Sequence, residues 1–582
     1  MKDLRNLLLL ASLAAACNSG TPSAGKGDDS TAIKAIDSAG LVRDINVLAS
    51  DEFMGRKPFT IGEEKTLAYL EKRFKEIGLQ PGNGNSFLQE VPMVEILSKP
   101  DGDLRLKGKN GDVKLTYLDQ YVAGTKRVQD QVSINNSEMI FAGFGIVAPE
   151  YNWNDYAGLD VKGKTVVVMV NDPGFYDSTL FKGKTRTMTY YGRWTYKFEE
   201  AARQGAAGIL IIHDVLPASY GWTVVRSGWS KPKLDLQTAD NNAGRAAIEG
   251  WLTRESAKKL FDLAGIPDSV MNQAKRPGFK AIPLGVTASL SLKNKTRKSV
   301  SHNVAALLPG TERKDEYIIY SAHWDHLGVG EAVKGDTIYN GALDNASGVA
   351  ALLQLATAFT KVQQPPKRSV LFLALTGEEQ GLLGSEYYAT HPIFPIKSTV
   401  ADINMDVLNF FGRTKDITII GKGQSDLDDY AAKAAEKQGR YLIPEANPSG
   451  GWFFRSDHFN FAKVGIPSLY PGSGMVSVAH DSAWAPDHAT MYGRDHYHSP
   501  FDQLDPTWEL SGMVEDVRFL FDVGHTLSNE STFPQWKEGS EFKSKRWLII
   551  SSPLLRTNKG RTSGEEATAK RRTRNCVKIV LV

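Results

Sequence analysis

The chain has 582 residues, too many for one hydrophobic core and enough for about two to four domains. Its formal charge is +3, but ten Lys and Arg against two Glu fall between Lys545 and Val582. The remainder is therefore about five charges negative, and the basic total does not mark a nucleic-acid surface. With only Cys17 and Cys576, a disulfide-stapled scaffold is excluded.

In chain order, Lys2 and Arg5, the apolar Leu7–Leu10 and the small residues up to Ala16 describe an export signal over 1–17. Its apolar part is about ten residues, too short to span a bilayer, and no later stretch is long and apolar enough to do so. Leu13-Ala14-Ala15-Ala16-Cys17 resembles a bacterial lipobox with its Leu one position early. Lipidation of Cys17 would give a membrane-anchored periplasmic or cell-surface protein, and ordinary cleavage a secreted one. Residues 18–34 read as a Gly-rich tether. Segment 35–125 carries two predicted helices, 35–50 and 62–78, the second stopped by Gly78, and then strand-like alternation from about 88. A different block, 126–290, holds strand-like runs at Met139–Val147, Lys164–Val170 and Gly205–His213 and a helix at Tyr196–Gln204. It has no cluster of metal-type residues and reads as an insertion.

From 291 to 535 the apolar runs Val304–Leu308, Tyr317–Ala322, Ser369–Thr376 and Val400–Met405 are unbroken, as buried strands of a mostly parallel sheet are. The fold class is therefore α/β, with helices predicted at Ser347–Phe359, 382–389, 426–438 and 509–527. Ligands in such sheets collect past the carboxyl ends of the strands. His323, Asp325, Asp344, Glu378, Glu379 and Asp406 stand there, with almost no Lys or Arg among them. So many anions would repel one another by several kcal/mol unless a cation shared the site. Carboxylates with imidazole suit zinc, with cobalt or manganese as substitutes. Several carboxylates together favour two ions, about 3.5–4 Å apart, sharing one carboxylate and one activated water. Residues 536–582 read as a basic, disordered tail.

His323-Trp-Asp325, Asp344-Asn345, Glu378-Glu379, Asn404-Met-Asp406 and Tyr497-His498-Ser-Pro, in this order, resemble the signatures of the M28 zinc peptidases, two-zinc aminopeptidases and carboxypeptidases. The resemblance spans about 35–535. APEYNWNDYAGLDVKGKTVVV and FEEAARQGAAGILII in the inserted block are similar to the protease-associated domain that branches of that family carry. The resemblance implies a zinc-exopeptidase fold, a peptide substrate and two Zn2+. Asp344 would bridge, His323 and Asp406 would complete one site, and Glu379 and His498 the other. Glu378 would be the general base, Asp325 would accept the second N–H of His323, and Tyr497 would donate to the oxyanion. His326 and His496 match no ligand position and read as bystanders, while His458 could border the substrate pocket. An aminopeptidase is the leading expectation. A metallocarboxypeptidase, with Arg413 or Arg455 holding the substrate carboxylate, and a non-catalytic surface binding module are the alternatives. Oligomeric state and side-chain preference are not legible.

Overall fold

The computed structural model describes residues 29–181 and 187–546. The export signal, Cys17, most of the tether and the stretch 547–582 with Cys576 lie outside the described residues. No helix among the described residues is long and apolar enough to cross a membrane.

Arg368–Leu375 and Thr399–Asn404 are buried at every position, because both faces of their sheet are covered by helices. Between them runs Arg313–His323, parallel to both, with His323 opposite Leu375 and Ser321 opposite Asn404. Ser468–Gly472 extends the parallel set beyond Thr399–Asn404. Asp416–Ile420 closes that side antiparallel to Ser468–Gly472, with Tyr441–Pro444 parallel outside it. On the other side the end of a long strand, Ile282–Leu308, pairs antiparallel with Arg368–Leu375. The helix Ser347–Phe359, almost wholly apolar, packs with Ser38–Leu48 and Ser511–Asn529 into the core on one face. This is the mostly parallel α/β architecture expected from the unbroken apolar runs.

A second pair of cores is built from residues between Leu104 and Leu292. It begins earlier than residue 126, since Leu104, Leu106, Leu115 and Tyr121 pack inside it. It mixes strand and helix, as expected: Gln131–Phe141, Thr165–Met169, Gly208–Ile212 and Ile248–Leu252 form a parallel set flanked by the helices Trp194–Arg203 and Arg254–Ala264. Ile282–Leu308 begins in this sheet against Gln131–Phe141. It continues against Leu88–Pro100 and ends in the first sheet, so one strand ties both halves together.

Three sequence expectations need correcting. Ser30–Lys34 is helical with Ala32 buried, so the tether does not reach 34. Trp536, Phe542 and Arg546 are buried: Trp536 Nε1 donates to the Gly465 carbonyl (3.0 Å) and Arg546 Nη2 to that of Thr399 (2.7 Å). The folded body therefore continues past 535, its aromatic anchors hidden in a basic composition. A helix absent from those predicted, Trp484–Asp495, lies between the predicted helices 426–438 and 509–527; it lacks an apolar stripe because it buries only Ala485 and Tyr492.

Candidate metal centre

The parallel register brings three strand ends side by side. His323 closes Arg313–His323, Glu378 and Glu379 follow Arg368–Leu375, and Asp406 follows Thr399–Asn404. Asp344 comes from the turn before Ser347–Phe359, and His498, in a left-handed turn (φ 55°), from beyond Trp484–Asp495. All five expected ligands converge. His323 Nε2 lies 3.3 Å from Asp344 Oδ1 and 3.2 Å from Asp406 Oδ1, while His498 Nε2 lies 3.2 Å from Asp344 Oδ2 and 3.0 Å from Glu379 Oε2. Each oxygen of Asp344 thus faces a different histidine. Two groups able to hold an ion emerge and share Asp344: His323, Asp344, Asp406, and His326, Asp344, Glu379.

The donor set fits a pair of divalent cations. His323 Nδ1–H donates to the main-chain carbonyl of Asp325 (3.1 Å), which leaves the Nε2 lone pair facing the carboxylates. His498 Nε2 is buried without a hydrogen-bond partner, as a donor atom reserved for metal would be. Every ion-pair contact of Asp344, Glu378, Glu379 and Asp406 is to a histidine. Burial works against charge on His323, yet Glu378 and Asp406 hold it well above the usual imidazole range. Burial raises Glu378 well above the carboxylate range; His323 opposes this and Asp406 and Glu379 add to it. Burial also raises Asp344, but the neighbouring imidazoles of His323 and His498 outweigh it and hold the carboxyl well below that range.

Asp325 departs from expectation. Its carboxylate Oδ1 is 3.8 Å from His323 Nδ1, too far for a hydrogen bond. It accepts the Glu378 N–H instead (3.1 Å), because the loop turns the Asp325 carbonyl, not its side chain, toward the imidazole. Tyr497 is 44% exposed and stacked on His498 (ring centroids 3.8 Å), so it is not a core tyrosine. His326 is no bystander: it is fully buried, with Nδ1 2.6 Å from Glu379 Oε1. His496 does act locally, Nδ1–H donating to the Phe501 carbonyl (2.8 Å). His458 is fully buried between the rings of Phe453 and Tyr470. Arg413 is committed at the surface to Glu515 (2.8 Å).

Three supporting residues escaped the sequence reading. Arg56 is fully buried beneath the cluster. Its guanidinium donates to the carbonyls of Trp324 (2.8 Å), Leu48 (2.7 Å), Asn340 (2.6 Å) and Gly341 (2.8 Å), tying down the loops that present His323 and Asp344. Burial lowers it to about 10, while Asp502, Asp344, Asp325 and Glu379 pull it upward. Asp502 accepts the N–H groups of Leu343 (2.9 Å) and Asp344 (3.0 Å), fixing the turn that carries Asp344. Ser456 Oγ donates to Asp406 Oδ2 (2.6 Å).

A parallel α/β sheet with a histidine–carboxylate cluster on its C-terminal rim is the framework of a metal-dependent hydrolase. Residues 303–520, the part carrying this rim, match the model of peptidase family M28. The chain is 28% identical over 259 residues to aminopeptidase NAALADL1 of Mus musculus, a match covering 39% of this chain and 31% of that one, so it spans about a third of that relative's length. It is 25% identical over 484 residues to the protein named probable leucine aminopeptidase 2 of Aspergillus oryzae, covering 81% and 80% of the two chains. Among solved structures, the aminopeptidase from Aneurinibacillus sp. strain AM-1 aligns over 87% of this chain and 97% of its own, at 20% identity and a TM-score of 0.47.

Proposed function

We propose that the chain is an exported dinuclear zinc exopeptidase, an aminopeptidase releasing N-terminal residues from peptides. The observation that carries the reading is Asp344, one carboxylate whose two oxygens meet two different histidines at 3.3 and 3.2 Å. A shared carboxylate of this kind is what a paired-ion site requires and a single-ion site does not. The M28 match over 303–520 and the aminopeptidase names of the relatives favour peptides as substrate.

His323, Asp344 and Asp406 would hold one zinc, and Asp344, Glu379 and His498 the other, with His326 steadying Glu379. When bound, such a pair lowers the pKa of water toward about 7 and polarises the scissile carbonyl. Glu378 accepts the proton of the attacking water and passes it to the leaving amine. Asp325 serves twice: its carbonyl keeps the proton on His323 Nδ1, and its carboxylate holds the main chain of Glu378. Tyr497 donates its hydroxyl to the oxyanion of the tetrahedral intermediate. The leader read in 1–17, lipidation at Cys17 and a protease-associated role for the second half belong to the same proposal. Of the two arginines that the carboxypeptidase alternative would use, Arg413 is paired with Glu515, while no carboxylate pairs with Arg455 among the described residues.

Purified full-length protein should hydrolyse leucine p-nitroanilide, lose that activity on exhaustive chelation and recover it with zinc. The N-acetylated substrate should resist. Hydrolysis that survives chelation contradicts the reading, and equal cleavage of the blocked substrate contradicts the aminopeptidase assignment.

A further inference from the structure

Behind the rim a chain of hydrogen bonds joins Asp402, inside the strand Thr399–Asn404, to Asp406 just beyond its end. Asp402 Oδ1 lies 2.7 Å from Ser321 Oγ, which lies 3.1 Å from Asn404 Oδ1. Asn404 Nδ2 lies 2.7 Å from Ser456 Oγ, and Ser456 Oγ lies 2.6 Å from Asp406 Oδ2. Asp402, Ser321, Asn404 and Ser456 are all fully buried. Each contact is direct, so its hydrogen sits on one of the two atoms that make it.

The hydrogens can be counted. Four contacts need four. Ser321 and Ser456 supply one each, and the Asn404 amide supplies one, because its nitrogen faces only one of its two neighbours. Exchanging the amide nitrogen and oxygen moves that hydrogen to the other side and leaves the total at three. The fourth belongs to a carboxyl group at one end. Asp406 is an expected metal ligand, its Oδ1 facing His323 Nε2 at 3.2 Å, and a carboxylate ligates as the anion. That leaves the proton on Asp402.

The surroundings of Asp402 agree. Its Oδ2 is buried with no hydrogen-bond partner, and among the described residues no cation pairs with it. An ionised carboxylate is not buried on such terms. Burial pushes Asp402 well above the carboxylate range, the Ser321 hydroxyl opposes this, and the neighbouring acid Asp457 adds to it.

We propose that Asp402 is a neutral carboxylic acid that positions the metal ligand Asp406 through Ser321, Asn404 and Ser456. With the proton there, every hydrogen of the chain points the same way, from Asp402 to Ser321, Asn404, Ser456 and Asp406 in turn. Asp406 Oδ2 is fixed as the acceptor of a hydroxyl, and Oδ1 is left for an ion. Reversing the direction needs the Asn404 amide turned over, so the chain keeps its polarity. Asp402 touches neither ion nor substrate. The inference rests on the metal reading of the rim for the choice of end.

Infrared difference spectra of zinc-loaded wild type and Asp402→Asn at neutral pH test the proton. Wild type should show a protonated-carboxyl C=O band that the substitution removes; loss of an ionised-carboxylate band in its place overturns the proposal. Zinc affinity, read by competition with a chelator, tests the positioning. An amide can donate to Ser321 and is uncharged like the neutral acid, so Asp402→Asn should bind zinc as wild type does. Asp402→Ala and Ser321→Ala break the chain at different links, and each should weaken zinc binding about tenfold. Equal weakening in Asp402→Asn and Asp402→Ala overturns the proposal, because charge rather than the donated hydrogen would then matter. Unchanged binding in both alanine variants overturns the positioning role. Wild-type protein that binds no zinc contradicts the metal reading of the rim, and the infrared band then decides on Asp402 by itself.

Discussion

Both halves of the molecule bury acidic side chains, and they neutralise them in opposite ways. In the second half, Asp155 accepts hydrogen bonds from the N–H groups of Phe144 (3.1 Å) and Ile146 (3.0 Å) and from Trp153 Nε1 (2.9 Å). Asp172 accepts from the amide and hydroxyl of Thr189, and both acids feel the buried ammonium of Lys197. The chain supplies its own donors there, as a buried carboxylate requires. On the rim of the parallel sheet, the ion pairs of four carboxylates are all to histidines among the described residues, and the guanidinium beneath them, Arg56, spends its donors on main-chain carbonyls. Asp155 and Asp172 keep the fold together. The acids around Asp344 are arranged for a charge that the chain does not supply.

Glu378→Gln tests that contrast most severely. It removes the proton acceptor and leaves every expected ligand in place, so turnover should fall about a thousandfold while bound zinc is retained. Loss of zinc instead would mean that Glu378 and Glu379 have exchanged roles.

Arg56→Lys comes next. A single ammonium cannot serve four carbonyls in the directions a guanidinium does, so the loops carrying His323 and Asp344 should loosen. The expected loss is about 10–100-fold in activity or metal affinity, the scale of changes to groups that orient ligands, together with a lower Tm. Wild-type activity with a lower Tm would make Arg56 a packing residue only.

The smallest effect separates the two halves by stability. In chelated protein, Glu378→Gln should leave Tm unchanged or raise it, because one of several mutually repelling acids has gone. Asp155→Asn should lower stability by about 1–3 kcal/mol, because an amide nitrogen is turned toward a backbone or indole donor. Equal losses from both substitutions would erase the distinction between the two kinds of acid.

What the sequence made legible follows the same division. His323, Glu378, Glu379 and Asp406 each stand at the end of an unbroken apolar run, so the chain itself marks them as rim residues, and the parallel register brings them together. The supports were not legible because they act across long sequence distances through backbone atoms. The bonds from Arg56 to the ligand loops span 268 to 285 residues, and that from Asp502 to Asp344 spans 158. No local pattern announces a carbonyl acceptor. His326 was misread because its spacing from His323 matched no ligand motif, although a buried imidazole beside Glu379 is as much part of the cluster as the ligands. The helix Trp484–Asp495 was missed for want of an apolar stripe, and the anchors Trp536 and Phe542 because a basic composition hid them.

The claim that the rim is built to hold a pair of divalent cations is tested most directly by counting metal. Full-length protein, loaded with zinc and dialysed against metal-free buffer, should retain two zinc ions per chain by elemental analysis, and Asp344→Ala should retain fewer than one. Wild-type protein that holds no zinc after dialysis would contradict the account.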